Sequence, residues 1–363
     1  MNQSLIAENS PHGHAVATTG RLMTAIMLAM LPALGAHIWY YGFGIVVTMG
    51  LTFLSCSLTE MLMLKLRGRG IHALWRDRSA WVTAMILGFA LPPLLPWYLS
   101  VIGSIFAIAV VKHAFGGLGQ NIFNPAMAGF VFLLASCPLP MTTYVQATPN
   151  AVSAVTLPRA AAVIFNVKAD EALSAIQNAQ QEAFHDGVTG ATFLVNSRHE
   201  QATNYVAIYT ATHMGSLGIA EFQAKFYCAL MFLLGGVFLM WRRIIDWRIP
   251  VSFLGVTLVG ATIFWLCAPE KYIPPFWHLS FGATIFCAFF ILTDPVTAVS
   301  KPRGALIYGA TAGLLFIIIR NCGGYPDAAA FCTLTANALA PLITILTVRR
   351  PFGYGSAPED ITK

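Results

Sequence analysis

Apolar runs of near-membrane length recur along this chain, and they constrain its fold more than any other feature. A bilayer's hydrocarbon core is about 30 Å thick, and a helix needs about 20 residues to cross it. Inside that core only helices and closed barrels satisfy their own backbone groups. Ten runs are read as spans, near residues 22–39, 43–64, 80–91, 97–111, 121–137, 222–241, 251–267, 276–292, 305–320 and 328–348. The third and eighth are short. Each runs into proline, at "LPPLLP" (residues 91–96) and at Asp294-Pro295. Composition agrees with this pattern: 57% of residues are hydrophobic and only 10% charged, against about 25% charged in soluble domains. The expectation is an all-α polytopic membrane protein of about ten transmembrane helices.

Basic residues orient the spans. Arg67, Arg69, Arg76 and Arg78 lie between the second and third runs, and Arg242, Arg243 and Arg248 between the sixth and seventh. Lys301 and Arg303 follow the eighth run, and Arg349 and Arg350 the tenth. With ten spans all four clusters fall on one face, expected to be cytoplasmic, as are both termini. Residues 1–20 hold no apolar run, so a cleavable signal peptide is not expected. Four regions follow: a five-span half at 1–137, an extracytoplasmic segment at 138–221, a second five-span half at 222–348 and a cytoplasmic tail at 349–363. Five spans per half inverts one half relative to the other. The halves share a weak pattern: a proline-ended short span, then Gly116-Gly117 or Gly323-Gly324, then Asn124 or Asn337 among small residues. The expected architecture is therefore a five-plus-five inverted repeat with interrupted helices, which places polar sites near the midplane.

The long polar segment has one predicted helix, weakly amphipathic, over residues 170–184. "DGVTGAT" follows at residues 186–192. Gly187 and Gly190 permit backbone turns that aim N–H groups at a common centre, and Ala191 leaves the Thr192 hydroxyl sterically open. Such a turn has room for a phosphate. Residue types alone favour an ordinary Asp-Gly surface turn over a phosphate site.

Within the membrane runs the polar residues are few. Asn121 and Asn124 are three apart and are expected on one helix face, where they bond loosened backbone or hold a ligand. Asp294 is an ion-pathway candidate, because an intramembrane carboxylate is functional by default; its bland alternative is a cap on the segment that follows Pro295. Glu60, with Lys65 nearby and Lys112 in possible reach, is read as a snorkelling interfacial pair. The seven cysteines have no C-x-x-C spacing, and the nine histidines have no ligand spacing. No metal site is expected, the histidines are read as surface or packing residues, and no residue is assigned a catalytic role. "GGLGQ" is not a dinucleotide fingerprint, and no basic run with interleaved aromatics suggests nucleic acid.

"DGVTGATFL" resembles the flavinylation motif D-G-x-[ST]-G-A-T. "GGLGQNIFNPAMAGF" (residues 116–130), "LTDPVTAV" (292–299) and "GYPDAAAF" (324–331) resemble the RnfD family, a membrane subunit of the ion-translocating Rnf (Rsx) electron-transport complex. The likeness covers nearly the whole chain. It implies FMN joined to Thr192 through a phosphodiester, with Asp186, Gly187, Thr189, Gly190 and Ala191 recognised by a flavin transferase. It also implies a non-covalent riboflavin near Asn121 and Asn124. A matching N-x-x-N-P-A lies near a riboflavin in the related membrane subunit (designated B) of the sodium-pumping NADH:quinone reductase. The implied partners are the other Rnf subunits (designated A, B, C, E and G), the transferase and the lipid bilayer of a bacterial inner membrane, with the flavin segment periplasmic. The implied activity is electron transfer between ferredoxin and NAD coupled to Na⁺ or H⁺ movement. Two alternatives stand beside it. One is a solute transporter or channel of inverted-repeat type. The other is the corresponding part of a sodium-pumping quinone reductase, although only about twenty residues precede the first span here.

Overall fold

The computed structural model describes residues 19–145, 147, 151–181, 189–190, 216–269, 272–280, 283–323 and 328–347. Among them, seven helices are long and apolar enough to cross a membrane: Thr19–Tyr41, Gly44–Leu66, Trp97–Ala114, Phe222–Trp241, Arg248–Cys267, Pro302–Cys322 and Ala329–Thr347. The other three runs are helical but do not cross as one long helix. Ser79–Ala90 and Pro125–Ser136 are short. At about 1.5 Å per residue each covers roughly 18 Å. The eighth run breaks into Trp277–Ser280 and Thr284–Phe286, and the latter continues as a π-helical turn, Cys287–Ile291. The chain is a multi-pass helical membrane protein.

Proline explains two of these limits. Pro92 forces Leu91 into extended backbone, with ψ 148°, because proline's ring clashes with a helical residue before it. Pro125 acts the same way on Asn124, which has ψ 118°. The fifth helix therefore begins at Pro125, not near residue 121. Asn121 and Asn124 precede the helix and do not share a helical face, contrary to the spacing argument.

Close helix contacts run through glycine. Apolar burial does not drive helices together in lipid, so small residues that let backbones approach are favoured. Gly235 admits the Ala29 carbonyl between Ser216–Trp241 and Thr19–Tyr41, which run antiparallel. Gly313 does the same for Arg248–Cys267 against Pro302–Cys322: a Cβ there would sit 2.6 Å from the Phe253 carbonyl oxygen and 3.2 Å from Thr257 Oγ1. Gly313→Leu should therefore cost about 1–3 kcal/mol by overpacking. Gly255, with nothing within 4 Å of its would-be Cβ, supplies the control. Thermal unfolding in detergent should separate the two leucine variants, and equal midpoints would contradict the assigned contact.

Hydrogen bonds place Arg67 and Arg78 at one end of the bundle, the basic end, whereas Arg320 lies in the last turn of Pro302–Cys322, at the far end of the helix that begins beside Lys301. Arg78 Nη1 donates to Thr24 Oγ1 at 2.5 Å, at the start of the first helix. Arg67 Nη1 lies 3.4 Å from His113 Nδ1, at the end of Trp97–Ala114. A Cβ on Gly304 would lie 3.0 Å from Thr347 Oγ1, which joins the start of Pro302–Cys322 to the end of the last helix.

The segment after the fifth helix packs at the opposite end. Tyr144–Val145 pairs antiparallel with Thr189–Gly190, Val145 facing Thr189. Val145, Ala154, Val155, Ala160 and Ile176 form a small apolar cluster against Val47 and Leu94. The Phe43 N–H donates to the Val155 carbonyl at 3.0 Å. The helix expected over residues 170–184 is found as Ala169–Gln181, with Ile176 buried.

Candidate functional site: a polar cleft at the basic end

A cleft opens at the basic end between the first, third, fourth, fifth and eighth spans. Its walls include Ile26, Ile86, Phe289 and Phe290, and besides the hydroxyls of Ser79, Thr83 and Thr293 it is lined by the larger polar side chains of Lys112, Asn121, Asn124 and Asp294. Three of these are site residues expected from sequence. The structure brings them together from segments up to 173 positions apart, counting from Asn121 to Asp294.

Asn124 is committed to the fold. Its Oδ1 accepts from the Ala126 and Met127 N–H groups at 3.1 and 3.3 Å. This is an N-cap with proline at the first helical position. Its Nδ2 lies 3.5 Å from the Ile291 carbonyl in the π-helical turn, which ties the fifth span to the broken eighth. Asn121 is less committed. Its Nδ2 donates to the Phe123 carbonyl at 3.1 Å, while its Oδ1 is buried without a partner among the described residues. A buried acceptor without a donor is costly, and here it belongs to a side chain that lines the cleft.

Asp294 does not start a helix. It closes a turn instead: Oδ1 accepts from the Val296 N–H at 3.4 Å and Oδ2 from the Thr297 hydroxyl at 3.2 Å. Residues 295–301 form turns and bends up to the helix at Pro302, so Asp294 does cap the segment after Pro295, but as a turn and not as the start of a helix. Its carboxylate remains part of the cleft wall.

Glu60 is not an interfacial snorkel. It is 6% exposed, and Lys65 is not its partner among the contacts observed. Lys112 Nζ donates to Glu60 Oε1 at 2.8 Å and to Ser79 Oγ at 2.9 Å. His113 Nε2 lies 3.0 Å from Glu60 Oε2, and a tautomer protonated at Nε2 leaves Nδ1 free to face Arg67. His113 is thus part of a buried ion cluster, not a surface or packing residue. Two charges taken from water hold only with good geometry and further hydrogen bonds, and Ser79 and His113 supply them.

On sequence alone Lys112 is only a possible partner of Glu60, not a residue of the cleft. The sequence offers one signal, a Lys-His pair closing an apolar span. Spacing cannot tell which side of the helix end the ammonium takes.

Of the "DGVTGAT" stretch, Thr189 and Gly190 are paired with Tyr144–Val145 at the end opposite the cleft. Asp186, Gly187, Ala191 and Thr192 lie outside the described residues.

Comparison with known proteins decides the family. Residues 6–353 match the profile of the NQR2, RnfD, RnfE family. The chain belongs to this family. It is 40% identical over 353 residues to an ion-translocating oxidoreductase complex subunit, the one designated D, of Aeromonas hydrophila; the match covers 96% of this chain and 98% of the relative. The proteins of the same name from Shigella dysenteriae and Escherichia coli are each 41% identical over 350 residues, covering 95% of this chain and 97% of the relative.

Proposed function

We propose that this chain is the flavin-bearing RnfD-type membrane subunit of an ion-translocating oxidoreductase complex, with FMN on Thr192 and a second, non-covalent flavin in the cleft. The observation that carries the reading is "DGVTGAT" standing at residues 186–192 of a chain 40% identical to a subunit of such a complex over almost its full length. The complex couples electron transfer between ferredoxin and NAD to movement of Na⁺ or H⁺. This chain holds flavins, while the partner subunits (A, B, C, E and G) carry the remaining sites. The membrane is a bacterial inner membrane, and the basic end faces the cytoplasm.

Thr192 is an anchor in this reading, because phosphodiester formation uses its hydroxyl. A transferase recognises Asp186, Gly187, Thr189, Gly190 and Ala191. Pairing of Thr189–Gly190 with Tyr144–Val145 fixes the chain two residues before Thr192 against the packed segment opposite the basic end.

The cleft's chemistry fits a flavin ring. Apolar walls with Phe289 and Phe290 suit a flat heteroaromatic, and the unpartnered Asn121 Oδ1 suits a ring N–H. Flavin supplies one- and two-electron chemistry, while the protein supplies position and electrostatics. Here Asn121 orients the ring, Asn124 holds the wall to the broken span, and burial keeps solvent off the ring face. Asp294, beside the ring, is the candidate for the ion pathway, since a bound cation is favoured when negative charge builds nearby.

Co-expression with a flavin transferase tests the assignment. The denatured full chain should run on a gel as a flavin-fluorescent band, and acid precipitation should release additional free riboflavin. A dark band with no released flavin would favour a solute transporter of similar architecture.

A further inference from the structure

We propose that Lys112 sets the reduction potential of the ring held in the cleft, with Glu60 as the positioning residue that aims its charge. This rests on the reading of the cleft as a flavin site.

The geometry of the ammonium is the starting point. An ammonium has three N–H donors. Two are used inside the protein, on Glu60 Oε1 at 2.8 Å and Ser79 Oγ at 2.9 Å. The third has no acceptor among the described residues, yet the side chain lines the cleft and is only 3% exposed. A buried donor on a full charge needs an acceptor, and the cleft is where one can be placed.

The pair is also oriented. Glu60 does not line the cleft, whereas Lys112 does. The second oxygen of Glu60 faces His113, which in turn faces Arg67. The negative end of the pair is thereby compensated on the side away from the cleft, and the positive end is presented to it. Asp294 adds a carboxylate elsewhere on the wall, with both oxygens already hydrogen-bonded. A ring that gains negative charge is then stabilised in one orientation, with its charged edge toward Lys112.

Oxidised flavin is neutral. On taking two electrons and one proton it carries one negative charge, concentrated on the N1–C2 carbonyl edge. A fixed cation at that edge favours the reduced form over the oxidised form and raises the potential, because a preorganised charge costs no reorganisation when the ring is reduced. Without the cation, a buried reduced ring avoids its charge by taking a second proton.

The test uses the full chain purified in detergent, carrying Thr192→Ala so that only the cleft flavin titrates. Dithionite supplies the electrons and solvent the protons. Lys112→Met should lower the ratio of affinities for reduced over oxidised riboflavin about tenfold, which is about 30 mV for a two-electron couple. At mildly acid pH it should also take up two protons per two electrons instead of one. Lys112→Arg keeps the charge and should restore both readouts. If Lys112→Met is purified without flavin, the two dissociation constants are measured with added riboflavin. If it does not fold, Glu60→Gln/Lys112→Met removes the same cation without a lone carboxylate and should show the same shift. Bound riboflavin with an unchanged affinity ratio and proton count would overturn the role of Lys112 and leave the flavin site standing. A parent protein that neither contains nor binds riboflavin would overturn both.

Discussion

Glu60→Gln should lower the stability of the protein in detergent by about 3–5 kcal/mol, the typical cost of breaking a buried ion pair from one side. The carboxylate serves two partners, Lys112 at 2.8 Å and His113 at 3.0 Å. Neither partner can turn to water, since both are buried. Removing the acid alone leaves an ammonium without its counter-charge. Removing both ends is a different matter: Glu60→Gln/Lys112→Met loses a paired charge, and such replacements are often close to neutral. A double-mutant cycle on unfolding in detergent should therefore give a large coupling energy. A Glu60→Gln variant within about 0.5 kcal/mol of the parent, the usual range for surface changes, would mean that the carboxylate is solvated at the membrane interface after all.

Thr192→Ala should abolish covalent flavin altogether. The proposed bond needs one hydroxyl, and alanine has none, so the fluorescent band of the denatured chain should disappear. In the parent, the peptide containing Thr192 should gain the mass of FMN less one water. Thr189→Ala is the informative comparison. Thr189 lies in the motif but is not the anchor, and its loss should change how much FMN is attached without moving the attachment to another peptide. Fluorescence that survives Thr192→Ala would place the anchor elsewhere.

The helices are legible in the sequence because lipid imposes one rule on all of them. A run of about 20 apolar residues with few charges has few alternatives to a helix in that solvent. All ten expected runs are helical, and the two proline boundaries at Leu91 and Asn124 follow from sterics within a dipeptide. Periodicity alone nevertheless misplaces Asn121 and Asn124, because it extends backwards through a proline that resets it. The bend at Ala283, before Thr284–Phe286, is not placed by the sequence pattern.

The polar residues are legible as exceptions, but not in their roles. Asn121, Asn124 and Asp294 stand out because polar groups in an apolar run are costly. Their meeting in one cleft depends on five spans packing together, which no local pattern encodes. The glycine contacts belong to the same class. Gly313 and Gly255 look alike in sequence, and only the neighbouring helix makes the first crowded and the second open.

The sequence by itself determined the multi-pass helical class and the proline-set helix limits at Leu91 and Asn124. Each is carried by short-range chemistry: apolar length, and the clash of a proline ring with the residue before it. Tertiary structure decided what the buried charges do. It turned Glu60 from an interfacial acid into the buried counter-charge of Lys112, brought His113 to its second oxygen, and set the ammonium in the wall of the cleft with Asn121 and Asp294. Such pairings join residues some fifty positions apart and more, counting from Glu60 to Lys112. They are fixed by how helices pack, and in a low-dielectric interior that packing decides whether a charge is stabilised or costly.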